Sequence, residues 1–295
     1  MRWALRQWKQ DDELKQIDRD FATGQVEGER RWYVLKKDPA QTMVVISGPI
    51  EFNVGSPSIE RHRRENEAMH KVSIDHSYSI AATAVTKEQF RRFRPSYPDD
   101  KELTRFCPDS GCPVIGITWY EAAEYCNWLS KQEGLQSYYL PNSRGKYEEG
   151  MKIAQGYERL AGFRLPTETE WEYASRAQST SSRFFGTSDD WLGKYSWYVM
   201  NAEQRTWPVG RLKPNDFGLF DICGNACSWC QDRYDSHGPS IFHDSGEPLV
   251  DTVEMAARGG AFVTPPTNVR SAFRFHSRPL NVLRDVGLRI VRTLR

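Results

Sequence analysis

The 295-residue sequence has little cysteine, no long apolar run and no acceptor site for N-linked glycosylation. Six cysteines are too few for a disulfide-based scaffold. No stretch approaches the roughly 20 apolar residues that a membrane-spanning helix needs. The first ten residues are charged rather than apolar, so we expect no signal peptide. These absences predict a cytoplasmic protein of bacterial type, with reduced thiols and no membrane contact.

The sequence also lacks an overall charge of one sign. Its 40 basic and 39 acidic residues give a net charge of +1, so no nucleic-acid partner is expected. The charge is uneven, however, because residues 258–295 hold eight arginines and a single acid, a local charge of +7 that leaves −6 for residues 1–257. This segment predicts either a basic face for an acidic partner or internal pairing of some arginines with buried carbonyls and carboxylates. The arginines expected to pair internally are Arg258, Arg270, Arg274 and Arg289.

Aromatic residues, by contrast, are abundant. The chain has 10 Trp, 13 Tyr and 14 Phe, together 13% of its residues, while the mean hydropathy is only −0.68. This combination predicts a core of large rings surrounded by much polar, irregular chain. The length predicts one or two domains.

Local signals predict a few well-capped helices separated by loops and short strands. Thr118 and Glu121 have the spacing of a capping box, and Thr167 and Glu170 repeat it. The mixed-charge run 60–67 is interpreted as a solvated loop. The fold class is therefore α+β with limited regular structure. The predicted helices lie within residues 1–24, 86–93, 118–134 and 167–176, and the predicted strands are 32–36 and 42–47.

Seven segments of the chain carry recognisable motifs. They are GPIEFNVGS (48–56), AVTKEQFRRF (84–93), PVIGITWYEAAEYCNWLS (113–130), GFRLPTETEWEYA (162–174), PVGRLKPNDFGLFDICGNACSWCQD (208–232), RGGAF (258–262) and the pair VRSAFR and VGLRIVR (269–274 and 286–292). In this order they resemble the formylglycine-generating enzyme family, the sulfatase-modifying-factor domain, over residues 41–295. The resemblance implies a loop-rich, C-type-lectin-like fold. Residues 1–40 are then a helical or hairpin accessory segment that packs on this domain or contacts a partner domain.

The resemblance also implies a catalytic apparatus that this chain lacks. Active family members bind copper(I) through two cysteines just after the RGG motif, and the matching positions here are Thr264 and Val269. A hydroxyl and an isopropyl group do not replace thiolates as ligands of a soft ion. Other branches of the family carry an iron site in a separate histidine-bearing domain, and residues 1–40 contain no histidine. We therefore expect a protein that is not an enzyme and needs no redox cofactor.

A calcium site is the remaining cofactor that the resemblance implies. The matching ligands are Asp221 and the carbonyls of Gly224 and Ala226, but Ser228 stands where the family has a glutamate. Calcium prefers several carboxylate oxygens, so this set predicts a weak site. The alternative is a tight turn in which glycine and Asn225 serve backbone geometry.

The cysteines allow two further metal hypotheses. Three of them have the C-x3-C-x2-C spacing of an iron–sulfur motif, but no repeating strand–helix barrel accompanies it. The C-x4-C pair and two of these three cysteines together supply the four thiolates that a zinc site uses. The default interpretation is that all six thiols are buried and reduced. The cysteines concerned are Cys107 and Cys112 in the first pair and Cys223, Cys227 and Cys230 in the second group.

Arginines and aromatic residues alternate with small polar residues in the C-terminal segment, a composition typical of binding hot spots. The leading hypothesis is a non-catalytic binding module whose C-terminal loops face a protein or peptide partner. One alternative is a copper- or iron-dependent oxidoreductase acting on a peptide or small-molecule thiol. Another, also implied by the resemblance, is a hypervariable lectin-like receptor of a diversity-generating retroelement. The predicted ligand-binding residues are Thr264, Asn268, Phe273, Phe275, His276, Leu280, Asn281, Leu283 and Arg284.

Overall fold

Three helices begin at threonines whose side chains cap them. The Thr118 hydroxyl accepts the Glu121 N–H at 3.1 Å, and the Glu121 carboxylate accepts the Thr118 N–H at 2.8 Å. Thr86 and Thr167 make the same reciprocal pair with the residue three positions on. Because these contacts satisfy N–H groups that a helix start leaves unpaired, the predicted starts are confirmed. The helices are α1 (Arg2–Gln7), α2 (Asp11–Asp20), α3 (Lys87–Phe93), α4 (Lys101–Phe106), α5 (Trp119–Gln132) and α6 (Glu168–Arg176).

The computed structural model describes residues 2–8, 10–36, 41–98, 101–154, 156, 159–239 and 246–294. No helix in these ranges combines the length and the apolar character needed to cross a membrane. The strands are β1 (Trp32–Val34), β2 (Thr42–Ile46), β3 (Ile50–Val54), β4 (His70–Ile74), β5 (Ser77–Ala81), β6 (Tyr139–Leu140), β7 (Lys152–Ile153), β8 (Phe163–Arg164), β9 (Cys227–Arg233), β10 (Met255–Arg258), β11 (Arg274–Ser277), β12 (Val286–Gly287) and β13 (Val291–Leu294).

Two small sheets organise the domain. The first has the order β1-β2-β5-β13-β8 with antiparallel neighbours, so β13 near the C-terminus lies between strands from the first two-thirds of the chain. The second has the order β11-β10-β9-β12, in which β12 runs parallel to β9. Strand pairs β3–β4 and β6–β7 stand apart from both sheets. The loop-rich α+β fold is confirmed, and the C-terminal segment is integrated into both sheets.

Large rings fill the core, as the composition predicts. Trp119, Trp171 and Trp229 are fully buried. The indole N–H of Trp119 donates to the Cys230 carbonyl at 2.7 Å, and that of Trp229 donates to the Ile117 carbonyl at 3.1 Å. These bonds give two of the indoles the partner that a buried N–H requires and tie strand β9 to the start of α5.

The N-terminal helices pack against the domain. Arg6 donates to the Val209 carbonyl at 2.7 Å, and Gln7 donates to the Arg211 carbonyl at 3.1 Å. Strand β1, which follows these helices, forms one edge of the five-stranded sheet. The predicted boundary at residue 40 falls in residues 37–40, outside the described ranges, and it stays a prediction.

Candidate functional site

Helix α6 buries two glutamates that hold arginines of the C-terminal segment. Glu168 accepts hydrogen bonds from Arg274 at 2.6 and 2.7 Å and from Arg258 at 3.2 Å. Arg258 also pairs with Glu172. All four side chains are buried. The internal pairing predicted for Arg258 and Arg274 is confirmed, and their charges are neutralised inside the domain.

Arg270 pairs with the mixed-charge run of residues 60–67. Its guanidinium lies 2.8 Å from each carboxylate oxygen of Glu67 and 2.7 Å from Glu60. Glu67 is fully buried. The interpretation of this run as a solvated loop is therefore wrong at these positions, because its acids are the counter-charges of a distant arginine.

The two positions that match the copper-binding cysteines have structural roles. The Thr264 hydroxyl accepts the Ala261 N–H at 2.8 Å, and the Thr264 N–H donates back to the Ala261 carbonyl at 2.9 Å. Val269 is 0% exposed and lies in the buried cluster that includes Trp171. A hydroxyl that closes a turn and a buried isopropyl group present no soft donor. The residues present do not fit a copper(I) ion.

The environment of Asp221 is poorly suited to a cation. One oxygen of its buried carboxyl accepts the Gly210 N–H at 2.7 Å, and the other has no hydrogen-bond partner among the residues that the structure describes. Burial raises the Asp221 pKa to about 6, although Arg289 and Arg6 lie close enough to lower it. Arg289 itself donates to two backbone carbonyls at 2.6 Å, as predicted. A single carboxylate beside two guanidinium groups does not fit a calcium ion, which needs several anionic oxygens. The residues proposed for that ion were Asp221, Gly224 and Ala226.

The segment around Asn225 forms a tight turn instead. Asn225 has a φ of +63°, and its side chain both accepts from the Trp207 N–H and donates to the Trp207 carbonyl, each at 2.9 Å. Gly224 has a φ of +88°, and a Cβ there would lie 2.5 Å from the Trp197 carbonyl oxygen. Only glycine allows both the positive φ and this close approach at position 224. The geometry of the turn therefore accounts for Gly224 and Asn225.

All six cysteines are buried and free. Two of them share a hydrogen bond that raises the pKa of Cys107 and lowers that of Cys112. In the described part of the chain, no three His, Cys, Asp or Glu side chains converge as a metal site. The cysteines considered for zinc or an iron–sulfur cluster therefore form no ligand set there. They are Cys107, Cys112, Cys223, Cys227 and Cys230.

Two aromatic residues predicted to bind a ligand already have intramolecular partners. Phe273 is 6% exposed, and the Arg64 guanidinium lies 4.7 Å from its ring centroid. The prediction that Phe273 faces a partner is wrong, because the ring is buried. His276 stacks on Tyr234 with ring centroids 4.0 Å apart, and its Nδ1 lies 2.9 Å from a Glu254 carboxylate oxygen.

Three other predicted residues are half-buried. Phe275, on strand β11, packs against the aromatic core. Asn268 ends the 3-10 turn Pro266–Asn268. Asn281 donates to the Ser277 hydroxyl at 2.9 Å. Because the three residues are half-buried, part of each stays accessible to a partner.

The loop that carries Leu280, Leu283 and Arg284 is more open. Arg284 lines a cavity of about 300 Å³, and its guanidinium lies 5.0 Å from the ring centroid of Phe106. Val282 lines the same cavity and is 64% exposed, and Leu280 is 45% exposed. Leu283 packs partly against the core. Of the predicted residues, Arg284 and Leu280 are the most accessible to a partner.

The Phe106 ring links this cavity to Thr264. Phe106 stacks on Phe262 with ring centroids 6.0 Å apart. Two residues further on, the Thr264 carbonyl accepts the Val199 N–H at 3.2 Å. Met200, next to Val199, is 75% exposed. Contacts through Phe106 and Phe262 therefore connect Arg284 with the segment that holds Thr264.

A second series of contacts leads from Phe106 to the segment that carries the Trp207 indole and the Arg205 guanidinium. The Phe106 carbonyl accepts the Thr206 N–H at 2.8 Å. The neighbouring Trp207 stacks on Trp197 at 4.7 Å, and the Arg205 guanidinium lies 3.7 Å from the Trp207 ring centroid. Sequence reasoning missed most of these residues, because they come from segments far apart in the chain. We call this set the Phe106 surface: Phe106, Met200, Arg205, Trp207, Val282 and Arg284.

Comparison with known proteins identifies the family. Residues 34–294 match the model described as "Sulfatase-modifying factor enzyme 1-like domain". The chain belongs to this family. The formylglycine-generating enzyme of Streptomyces coelicolor is 28% identical over 249 residues, which cover 72% of this chain and 76% of that protein. The predicted resemblance is confirmed.

Curated proteins with other names are also similar to this chain. The chaperone protein LppX of Paenibacillus barcinonensis is 29% identical over 207 residues, 61% of this chain and 70% of that protein. The serine/threonine-protein kinase pkn1 of Chlamydia pneumoniae is 26% identical over 282 residues, 88% of this chain. Those residues are only 39% of the kinase-named protein, so the chain spans about two fifths of that relative.

Two solved structures share the fold. Treponema denticola variable protein 1 has a TM-score of 0.70 and 24% identity, covering 86% of this chain and 96% of that one. PvdO from Pseudomonas aeruginosa has a TM-score of 0.71 and 21% identity, covering 90% of this chain and 100% of that one. At these identities the likeness establishes the fold alone.

Proposed function

We propose that this member of the sulfatase-modifying-factor family is a non-catalytic binding module. The observation that carries the proposal is that the copper-ligand positions hold a buried valine and a turn-closing threonine, while the exposed Arg284 and half-buried aromatic rings remain on the adjoining Phe106 surface. Arginine and tryptophan are enriched among residues that dominate binding energy. A surface of this composition suits a protein or peptide partner.

The chemistry of the Phe106 surface suggests which peptide it takes. Val282 and Met200 have exposed apolar side chains, and Arg284 lines the cavity with Phe106 and Val282, as do the acids Glu102 and Glu121. Guanidinium groups recognise carboxylates through paired hydrogen bonds. We therefore propose a segment that inserts an apolar side chain into the cavity and places a carboxylate against Arg284.

The expected consequence is a selective loss of binding in an Arg284→Ala variant. Peptides selected on the wild-type protein from a random library should bind this variant about 30-fold more weakly, the equivalent of about 2 kcal/mol at a hot spot. Titration calorimetry of the selected peptides with both proteins measures the change.

Arg278→Ala is the matched control, since Arg278 is an exposed arginine of the same loop and lies outside the Phe106 surface. It should bind the selected peptides within twofold of wild type. Peptides that bind Arg284→Ala as tightly as wild type, or a selection that enriches nothing above an uncoated well, would contradict the proposal.

We also expect no formylglycine-generating activity. The protein is incubated with copper(I), oxygen and a Cys-x-Pro-x-Arg peptide, and the peptide mass is followed over time. No conversion should occur, because neither Thr264 nor Val269 supplies a thiolate. The Streptomyces coelicolor enzyme serves as the positive control, and conversion of the cysteine over several turnovers by this chain would favour the oxidoreductase alternative.

The proposal includes the compartment in which the module works and the kind of domain beside it. The six free thiols are compatible with a reducing compartment, which supports the predicted cytoplasmic location. The long kinase-named relatives support a domain that works beside a partner domain, with the N-terminal segment as a point of contact. The hypervariable-receptor alternative stays a prediction, because the Treponema protein shares the fold only.

A further inference from the structure

His76 lies in the turn between strands β4 and β5, and both nitrogens of its half-buried ring face carboxylates. Its Nδ1 lies 2.8 Å from an oxygen of the neighbouring Asp75, and its Nε2 lies 2.9 Å from an oxygen of Glu170 on α6. A carboxylate only accepts hydrogen bonds, and a neutral imidazole carries one N–H. Both contacts are therefore hydrogen bonds at the same time only when the ring is protonated.

The Glu170 side chain joins His76 to a buried network. It accepts hydrogen bonds from the Arg164 guanidinium at 2.5 and 2.7 Å and from the Thr167 N–H, at the start of α6, at 2.9 Å. Arg164, on β8, also donates to the Thr293 hydroxyl on β13 at 3.1 Å. The protonated His76 ring thus connects the β4–β5 turn with the start of α6 and with two strands of the first sheet.

The same turn of α6 also holds the C-terminal segment. Glu168, two positions before Glu170, accepts hydrogen bonds from Arg258 and Arg274. A contact that fixes the start of α6 therefore also supports the helix turn on which these two arginines depend.

Charged and titratable groups from four elements surround the His76 ring. Asp75 lies in its own turn and Glu170 on α6, while the Arg164 guanidinium on β8 is 3.5 Å from Nε2. The Tyr78 ring on β5 lies 6.3 Å from the imidazole, between ring centroids, and its hydroxyl donates to the Glu170 carbonyl at 2.8 Å. Two carboxylates and one guanidinium leave a negative charge around the ring.

These surroundings favour the protonated ring. Burial lowers the pKa of His76, but the hydrogen bonds and charges of Glu170 and Asp75 raise it more, and the net shift is upward. Burial opposes the ionisation of Glu170, yet the Arg164 guanidinium holds the pKa of that carboxyl far below its usual range. Burial also raises the pKa of Tyr78. Near neutral pH, Glu170 therefore stays ionised and Tyr78 stays neutral while His76 titrates.

We propose that His76 is a pH-sensitive clamp, which holds the β4–β5 turn on helix α6 while its ring is protonated and loses one of its two carboxylate hydrogen bonds when the proton leaves. A group whose pKa is raised on folding adds stability that is complete below its unfolded-state pKa and is lost as the pH rises through its folded-state pKa. The clamp is therefore complete below about pH 6.5 and weakens above it. It is independent of the Phe106 surface, which contains none of these residues.

Proton NMR titration of the histidine rings in the full chain tests the protonation. The signal that is missing from His76→Gln belongs to His76, and its midpoint in wild type should lie above the ordinary value of 6.5. Asp75→Asn removes an exposed carboxylate and should lower that midpoint. If His76→Gln does not fold, the signal that Asp75→Asn shifts identifies His76. A wild-type midpoint at or below 6.5 would overturn the proposal.

Thermal unfolding tests the clamp itself. The melting temperature of His76→Gln should lie below that of wild type at pH 5.5, and the gap should shrink to less than about half at pH 8.5, where wild type has also lost the contact. Asp75→Asn should show the same trend on a smaller scale. The matched control is His237→Gln, because His237 is exposed and its ring lies 2.9 Å from Asp235 without reaching α6; it should melt like wild type at both pH values. A gap for His76→Gln that is equal at the two pH values, or wider at pH 8.5, would refute the clamp.

Discussion

Replacing Glu168 with glutamine should lower the free energy of unfolding by about 3–5 kcal/mol. Among the described residues, Glu168 is the carboxylate that hydrogen-bonds Arg274, and it also accepts from Arg258. The neutral amide would leave the buried Arg274 charge without a carboxylate, facing only the amide oxygen and the backbone carbonyls of Asn66 and Asp235, while the amide NH2 would point a donor at the guanidinium. Urea unfolding followed by tryptophan fluorescence measures the loss.

Two comparisons separate this effect from a general loss of charge. Glu254→Gln removes a half-exposed carboxylate beside His276 and should change stability by less than about 1 kcal/mol. The double variant Glu168→Gln with Arg274→Met should recover part of the loss, because it removes the unpaired charge as well. A loss of under about 1 kcal/mol in Glu168→Gln itself would show that the buried network is not a major source of stability.

An Asp221→Asn variant should change how stability depends on pH. In the folded protein burial raises the Asp221 pKa to about 6 from 3.8, so the folded state holds this proton at pH values where the unfolded chain has released it. Wild-type stability therefore falls as the pH rises from about 4 to about 6, by about 2 kcal/mol from this group. Asparagine cannot ionise and should not show that fall.

The measurement is the difference in unfolding free energy between wild type and Asp221→Asn at pH 4 and at pH 7.5. The difference should move in favour of the variant by about 2 kcal/mol between the two pH values; a constant difference would contradict the raised pKa. Millimolar calcium should leave the melting temperature of both proteins unchanged. A rise in wild type that the variant lacks would show calcium bound at Asp221.

Local sequence patterns predicted much of the fold correctly. The capping boxes at Thr118 and Thr167 involve residues three positions apart, so their geometry depends on the local chain alone. The internal pairing of Arg258 and Arg274 was also predicted, from their place in recurrent motifs. The sequence could not name their partner, because Glu168 lies about 100 positions away and the pairing forms only when α6 packs on the second sheet.

Side-chain exposure in the C-terminal segment was harder to predict. Phe273 and Arg284 both lie in the loop-rich C-terminal segment. The Phe273 ring is buried beside the Arg64 guanidinium, whereas the Arg284 side chain lines a cavity. Strand β11 begins at Arg274 and places the preceding ring inward. Burial of a loop residue depends on which distant segment covers it, and periodicity holds no information on that.

The sequence by itself determined the family, the α+β class, the helix starts and the absence of thiols at the copper-ligand positions, because each of these depends on residue type and short spacing. Only the tertiary structure decided which acids pair with the C-terminal arginines and that Phe106 contacts both Arg284 and the segment that carries Trp207. It also decided where the N-terminal helices pack on the domain, through Arg6 and Gln7. The physical reason is that charge pairing, ring stacking and cavity shape depend on distances between segments far apart in the chain, and those distances are set when the sheets and α6 pack together.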